Sequence, residues 1–326
     1  MENKIKVAIA VGGDSAEEVI SMKTGQMVFD HLDRSRYDAL LVRMRLGSWQ
    51  VLIEGKECEI DKNDFSFKYE NKKYQFDYVF IAIHGTPGED GKLQAYFDLL
   101  KIPYSSPDHI GSTLTFNKWY CNTLLSQMGY QVAISHYMRR GDKLNEAEVI
   151  EKIGLPCFVK PCSCGSSFGI SKVKDQSALF AAVSEAFEYD HEIMIESFMP
   201  GKEVTCGVYQ KGDQVVALPI TQIIPKGEFF DYAAKYEGDS QEITPARISA
   251  TLSTDVQKAA SEIYHKLNLR GVVRIDFMLV DETPYIIEVN AVPGLSPESL
   301  VPQQVRAANI PMNQFFTDII EATRHS

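Results

Sequence analysis

Short apolar runs alternate with amphipathic stretches over the first hundred residues. KVAIAVGG (6–13) is apolar almost throughout and halts at a glycine pair, the pattern of a buried strand. The stretch from Glu18 to about Leu32 can form a helix. DALLVRM and DYVFIAIHG read as further strands, and KLQAYFDLL as a helix. Strands alternating with helices predict an α/β fold with a doubly wound parallel sheet. Such sheets bind ligands beyond the C-terminal ends of their strands. Two polar segments fall there, GGDSAEEVIS and HGTPGEDG.

The texture changes near residue 113. TLTFNKWYCNTLLSQMGYQVA is expected to be one helix closed by Gly129. LPCFVKP and ISKVKD are short strands on either side of a Gly/Ser run, QSALFAAVSEAFEY is an amphipathic helix, and EIMIESFM is a strand. From about residue 197 strands dominate until a final helix at NQFFTDIIEAT. Three compact units are expected, 1–112, 113–196 and 197–326, the last of α+β character.

Polar residues that interrupt apolar runs carry the candidate chemistry. In GVVRIDFMLVDETPYIIEVNAVPG two apolar strands flank a turn at DETP. Residues two apart share a face, so Arg274 goes with Asp276 and Glu288 with Asn290. A turn near Glu282 sets Asp276 opposite Glu288. Two carboxylates and an amide oxygen suit a hard cation such as Mg²⁺, completed by water and phosphate oxygens. The plainer alternative is an outward polar face with an incidental salt bridge. Lys160 ends an apolar strand beside CSCGSSFG, whose small residues can turn successive N–H groups toward an anion. Lys118 and Lys235 are further candidate cations. EIMIESFMPGKEV puts Glu196 and Glu203 around an apolar connector, either a cradle for adenine and ribose or an ordinary strand and turn.

Charge and composition exclude several classes. The net charge of −11 argues against a general binder of nucleic acid or anionic membrane. No run approaches the ~18 apolar residues of a membrane span, and no signal peptide is expected. Six cysteines are too sparse for a disulfide scaffold, and Cys162 and Cys164 lack the two further ligands a zinc site needs. A cytoplasmic location is expected. The G-x-G-x-x-G and Walker spacings are both absent, which weakens a nicotinamide-dependent oxidoreductase and a P-loop enzyme.

With GGDSAEEVIS, HGTPGEDG, GLPCFVKP…GSSFGISKV, FFDYAAKY, RIDFML and EVNAVPGLSPESLVPQ in this order, the chain resembles the D-alanine–D-alanine ligases of the ATP-grasp superfamily over nearly its whole length. The resemblance implies a three-domain ATP-grasp fold with ATP between the central and C-terminal units. It implies that Lys118 and Lys160 contact phosphates, with Lys235 also on the nucleotide side, and that Ser166 and Ser167 belong to a loop covering them. Glu196, the backbone through Met199, and Glu203 would hold adenine and ribose. Asp276, Glu288 and Asn290 would ligate two Mg²⁺ ions, with Mn²⁺ a substitute. Glu17 would receive the first substrate's ammonium, with His84 near its carboxylate. Ser299 and Lys235 would bind the second substrate's carboxylate beside Leu300. Glu17, Ser166 and Tyr236 would close the site as a hydrogen-bonded trio, and Arg274 with the Gly294 N–H would stabilise the oxyanion. The implied reaction joins two D-alanine molecules through an acyl phosphate, in a homodimeric enzyme of cell-wall peptidoglycan synthesis.

Some positions depart from that family's pattern. Cys162, Ser163 and Cys164 replace glycine or charged residues, which makes the flap a candidate oxidation-sensitive spot. Ala291 stands where Thr commonly follows the metal-binding Asn, Leu295 where Met is frequent, and Ser197 where Lys is frequent. Competing readings are a ligase that takes D-lactate as second substrate, another ATP-grasp ligase, and a catalytically silent nucleotide-binding homologue. Retention of DYAAKY favours D-alanine. The flap and the loop around FFDYAAKY are expected to be mobile without ligand.

Overall fold

The structure, a computed structural model, describes residues 4–14, 17–165, 168–225 and 240–325. The whole FFDYAAKY loop, and Ser166 and Ser167 of the flap, where mobility is expected, lie outside that range.

The first sheet is built on β1 (Ile5–Gly12), followed by α1 (Glu18–His31) and β2 (Tyr37–Arg45). Next come β3 (Ser48–Ile53), β4 (Lys56–Asp61), β5 (Ser66–Tyr69), β6 (Lys72–Tyr74), β7 (Tyr78–Ile81) and α2 (Lys92–Leu100). Its order is β6-β5-β4-β3-β2-β1-β7, with β1 parallel to both β2 and β7. Alternation along β1 explains the double winding. Val7, Ile9 and Val11 face α1, whereas Ala8 and Ala10 face Leu93 and Phe97 of α2. Each larger side chain so buried contributes roughly 1.5–3 kcal/mol. The antiparallel meander from β3 to β6 was not anticipated, because its strands are short and mix charged residues into weak alternation.

Two helices, α3 (His109–Phe116) and α4 (Lys118–Gln127), stand where one was expected. Asn117 leaves helical geometry and its side chain accepts from the Tyr120 N–H, capping α4. The break delivers Lys118 at the first position of α4. The middle sheet is antiparallel, in the order β11-β10-β12-β9. It combines β9 (Ser135–Arg139), β10 (Cys157–Pro161), β11 (Ser171–Val173) and β12 (Glu192–Ser197). Helices α5 (Glu146–Ile153) and α6 (Leu179–Tyr189) seal one face through Val149, Leu179, Val183 and Ala186. The preceding β8 (Gln131–Val132) instead pairs into the third sheet.

That sheet runs β16-β15-β13-β17-β18-β8, with β14 (Gln214–Ala217) on β13 (Lys202–Lys211). Its other members are β15 (Thr221–Pro225), β16 (Ser240–Ile243), β17 (Val272–Val280) and β18 (Thr283–Asn290). A 17-residue helix, α7 (Ala250–Lys266), capped by Ser249, lies across it, so the last third is less strand-dominated than expected. Helices α8 (Leu300–Ala307) and α9 (Met312–Thr323) close the chain. Phe315 and Phe316 of α9 pack edge-on against Tyr209 of β13 and Phe80 of β7, so one helix ties the third sheet to the first.

Candidate active site

A cavity of about 660 Å³ takes its walls from the second and third sheets and from α1 and the segment after β7, and fourteen of the eighteen residues singled out in the sequence line it. The other four, Ser166, Ser167, Lys235 and Tyr236, lie outside the described residues.

The β17–β18 hairpin forms the floor. Asp276 lies opposite Glu288 and Arg274 opposite Asn290, as the spacing predicts. The route to that pairing is less simple. Asp281 and Glu282, both at positive φ, make a two-residue turn. Strict alternation from it would point Glu288 into the core with Ile286. A bulge between Asp276 and Phe277 gives β18 one extra residue, so Ile287 and Glu288 both face the cavity while Val289 returns to the core. Arg274 then grips Asp276 with two bonds, Nε to Oδ1 and Nη2 to Oδ2, each 2.8 Å. Asn290 Nδ2 donates to Asp276 Oδ2 at 3.1 Å, and the Thr205 hydroxyl to Oδ1 at 2.5 Å.

Two lysines meet this floor. Lys118 Nζ is 3.2 Å from Glu288 Oε2 and donates to the Cys164 carbonyl at 2.9 Å, while its backbone N–H takes the Cys162 carbonyl. Burial disfavours charge on this amine, but the Glu288 carboxylate more than compensates and raises its pKa. Lys160 is buried and ion-paired to Glu196. Their strand positions explain the contact: Glu196 pairs with Phe158, and Lys160 lies two residues along β10 on the same face. Phe158, Ile170, Phe198 and Met278 supply an apolar wall beside Glu196, Met199 and Glu203. Ser197 is bonded to Ile134 through both its N–H and its hydroxyl, which fixes the connector.

The opposite corner is assembled from distant segments. Glu17 stands at the start of α1, beside Gly165 of the flap, where a Cβ would lie 2.8 Å from Glu17 Oε2. His84 is buried, with Nδ1 3.0 Å from the Val292 carbonyl and Nε2 3.1 Å from Thr24 Oγ1. Burial disfavours its charged form, but Glu89, Glu17 and that carbonyl raise its pKa overall. Glu89, 3.8 Å from His84, sits in the quoted HGTPGEDG segment but was not assigned a role; burial pushes its pKa up. Gly294 faces Ser299, whose hydroxyl bonds that of Ser296 at 2.9 Å. Ser299 occupies the N-cap position of α8 without a side-chain capping bond, which leaves its hydroxyl on the cavity side beside Leu300.

Among the described residues, eight carboxylates and five cationic side chains line the cavity. A polyphosphate entering alone would meet a wall already negative, so counter-cations must accompany it. No three His, Cys, Asp or Glu side chains among the described residues form a self-contained metal cage. A cation at Asp276 and Glu288 would therefore also draw on Asn290, water and phosphate oxygens, which fits Mg²⁺. The flap thiols sit in surroundings that disfavour the thiolate. Burial pushes Cys162 up to about 12 and raises Cys164 as well, which holds both in the less reactive protonated form.

Residues 6–107 match the family description "D-ala D-ala ligase N-terminus" and residues 122–321 match "D-ala D-ala ligase C-terminus". A D-alanine–D-alanine ligase of Phocaeicola vulgatus is 47% identical over 98% of this chain and 99% of that protein. One from Flavobacterium johnsoniae is 48% identical over 97% and 98%. Among solved structures, the VanG D-Ala:D-Ser ligase of Enterococcus faecalis superposes with a TM-score of 0.87 at 29% identity, covering 98% of this chain and 99% of that one. The Bacillus anthracis D-alanine–D-alanine ligase complexed with ATP gives 0.78 at 28% identity, over 98% and 97%.

Proposed function

Because the chain belongs to the D-alanine–D-alanine ligase family, it is an ATP-dependent ligase that joins two D-alanine molecules for peptidoglycan, and we propose that the cavity described above is where it does so. The observation that carries this reading is the facing of two differently built walls across one space. The hairpin floor gathers Arg274, Asp276, Glu288 and Asn290 beside Lys118 and Lys160. The corner presents Glu17, His84 and Gly294.

In this reading adenine lies against Phe158, Phe198 and Met278, held by the connector at Glu196 to Met199, and Glu203 reaches the ribose. Lys118 and Lys160 meet the phosphates, with Ser166, Ser167 and Lys235 completing that side. Mg²⁺, or Mn²⁺ in its place, would be held by Asp276, Glu288 and Asn290, and would supply neutralisation of phosphate charge. Glu17 takes the ammonium of the first D-alanine, and His84 steadies its carboxylate for attack on the γ-phosphorus. Arg274 and the Gly294 N–H receive the oxyanion formed when the second amine attacks the acyl phosphate. Ser299 and Lys235 hold the second carboxylate, Leu300 packs beside it, and Glu17, Ser166 and Tyr236 close the lid that keeps water off the acyl phosphate. The division into units at 1–112, 113–196 and 197–326 goes with this reading. So do a cytoplasmic location and a homodimer, and the net charge of −11 supports the absence of nucleic-acid and membrane binding.

The test is phosphate release from Mg·ATP with D-alanine, L-alanine, D-alanine plus D-lactate, D-alanine plus D-serine, or no amino acid. Release is expected wherever D-alanine is present, with D-alanyl-D-alanine as the only condensed product, and none with L-alanine or without an amino acid. ATP binding without release under any condition would make the chain a nucleotide sensor instead.

A further inference from the structure

Helix α1 carries more than the first-substrate carboxylate. Its buried face presents two hydroxyls, Ser21 and Thr24, in place of apolar side chains. Ser21 Oγ accepts from the Gly12 N–H and donates to the Ala82 carbonyl, each at 2.8 Å, so it joins the ends of β1 and β7. Thr24 Oγ1 accepts from the Leu295 N–H at 3.2 Å and meets His84 Nε2 at 3.1 Å. Residue 24 thus links α1, the histidine after β7 and the peptide that follows Gly294, segments up to 271 positions apart. Thr24 is fully buried and His84 nearly so. Close packing holds α1 in place, since a Cβ on Gly25 would fall 2.0 Å from Val11 Cγ1.

We infer that Thr24 is a positioning residue for both half-reactions: its single oxygen fixes the ring of His84 and the Gly294–Leu295 peptide, next along the chain from the Gly294 N–H, together. The assignment rests on the ligase reading above. Hydrogen-bond chemistry determines the arrangement. The Val292 carbonyl can only accept, so His84 Nδ1 carries a hydrogen in either charge state. In the neutral ring Nε2 is then a bare acceptor, and the Thr24 hydroxyl donates to it while its lone pair receives Leu295 N–H. In the imidazolium, Nε2–H donates to Oγ1 and the hydroxyl hydrogen turns away. One hydroxyl therefore serves both protonation states, which no aliphatic side chain can do. Without it, the contact to Nε2 and the bond from the buried Leu295 N–H are both lost.

The experiment compares Thr24→Val with Thr24→Ser, with every rate counted per ATP-binding site titrated in the same sample. Thr24→Val is expected to lose about tenfold or more in kcat/KM for D-alanine, with ATP affinity unchanged and an altered pH profile. Thr24→Ser is expected to restore most of the rate and the original profile. A Thr24→Val enzyme with wild-type kcat/KM per site would overturn the assignment. So would a Thr24→Ser enzyme as impaired as the valine variant. A wild type that binds ATP but never turns over D-alanine would instead sink the ligase reading, and this inference with it.

Discussion

The two walls of the cavity hold their functional groups by different means. On the floor, Arg274, Asp276, Glu288 and Asn290 sit on adjacent strands, and a continuous ladder with one bulge sets every spacing. At the corner, Glu17, His84 and Gly294 come from three segments that meet through single hydrogen bonds at Thr24 and Val292. The floor is fixed by register and the corner by tethers. In the proposed reaction, register would place the charges that meet phosphates and metal, and the tethers would set the groups that meet the two amino acids.

Substitutions should separate the two walls, and the largest effect belongs on the floor. Asp276→Asn keeps the shape but removes the charge gripped by Arg274. It is expected to lower kcat by at least about a hundredfold and to raise the divalent-cation concentration needed for phosphate release. A loss below tenfold would mean that the hairpin is not where charge develops. Gly294→Ala tests the corner. The added methyl would lie 2.9 Å from Ser299 Oγ and force that hydroxyl off Ser296. About a tenfold fall in kcat/KM for D-alanine is expected, with the ATP KM constant. Matching losses in both parameters would erase the distinction between the walls.

The smallest effect is one of pH. His84 has a folded-state pKa above its ordinary value of 6.5. A raised pKa means that the folded state binds more protons than the unfolded one in that window. Its contribution is therefore complete below about pH 6.5 and is lost as pH rises through the higher folded value. Glu89, also raised, acts in the same direction. Unfolding free energies of the wild type, from denaturant titrations, should fall more steeply above pH 6.5 than those of His84→Gln, by at most about 1.4 kcal/mol per pH unit. Parallel curves would show that His84 does not carry this linkage.

The same contrast explains what the sequence disclosed. Floor residues were legible because a strand's period of two converts spacing into facing, and polar residues in an apolar hairpin stand out. Even there the bulge was invisible: the pairing of Asp276 with Glu288 was anticipated, but not the doubling of Ile287 and Glu288 on one face. At the corner no local period links residues 17, 24, 84 and 294, so only the family resemblance gave roles to Glu17 and His84, and Thr24 passed unnoticed. The split at Asn117 was hidden because helix runs right up to it on both sides, from His109 to Phe116 and from Lys118 to Gln127. The meander from β3 to β6 escaped for lack of strong periodicity, and helix α7 was missed although Leu252, Val256, Ala260 and Ile263 keep helical spacing behind the Ser249 cap.

The excess of carboxylates along the cavity also bears on the design of inhibitors. A compound that copies the triphosphate with fixed negative charge would have to recruit cations before it could settle, and much of its affinity would depend on the medium. A neutral or zwitterionic scaffold avoids that dependence. An ammonium aimed at Glu17, an uncharged donor toward Asp276 and Glu288, and a flat apolar group against Phe158 and Met278 would use the wall's own polarity.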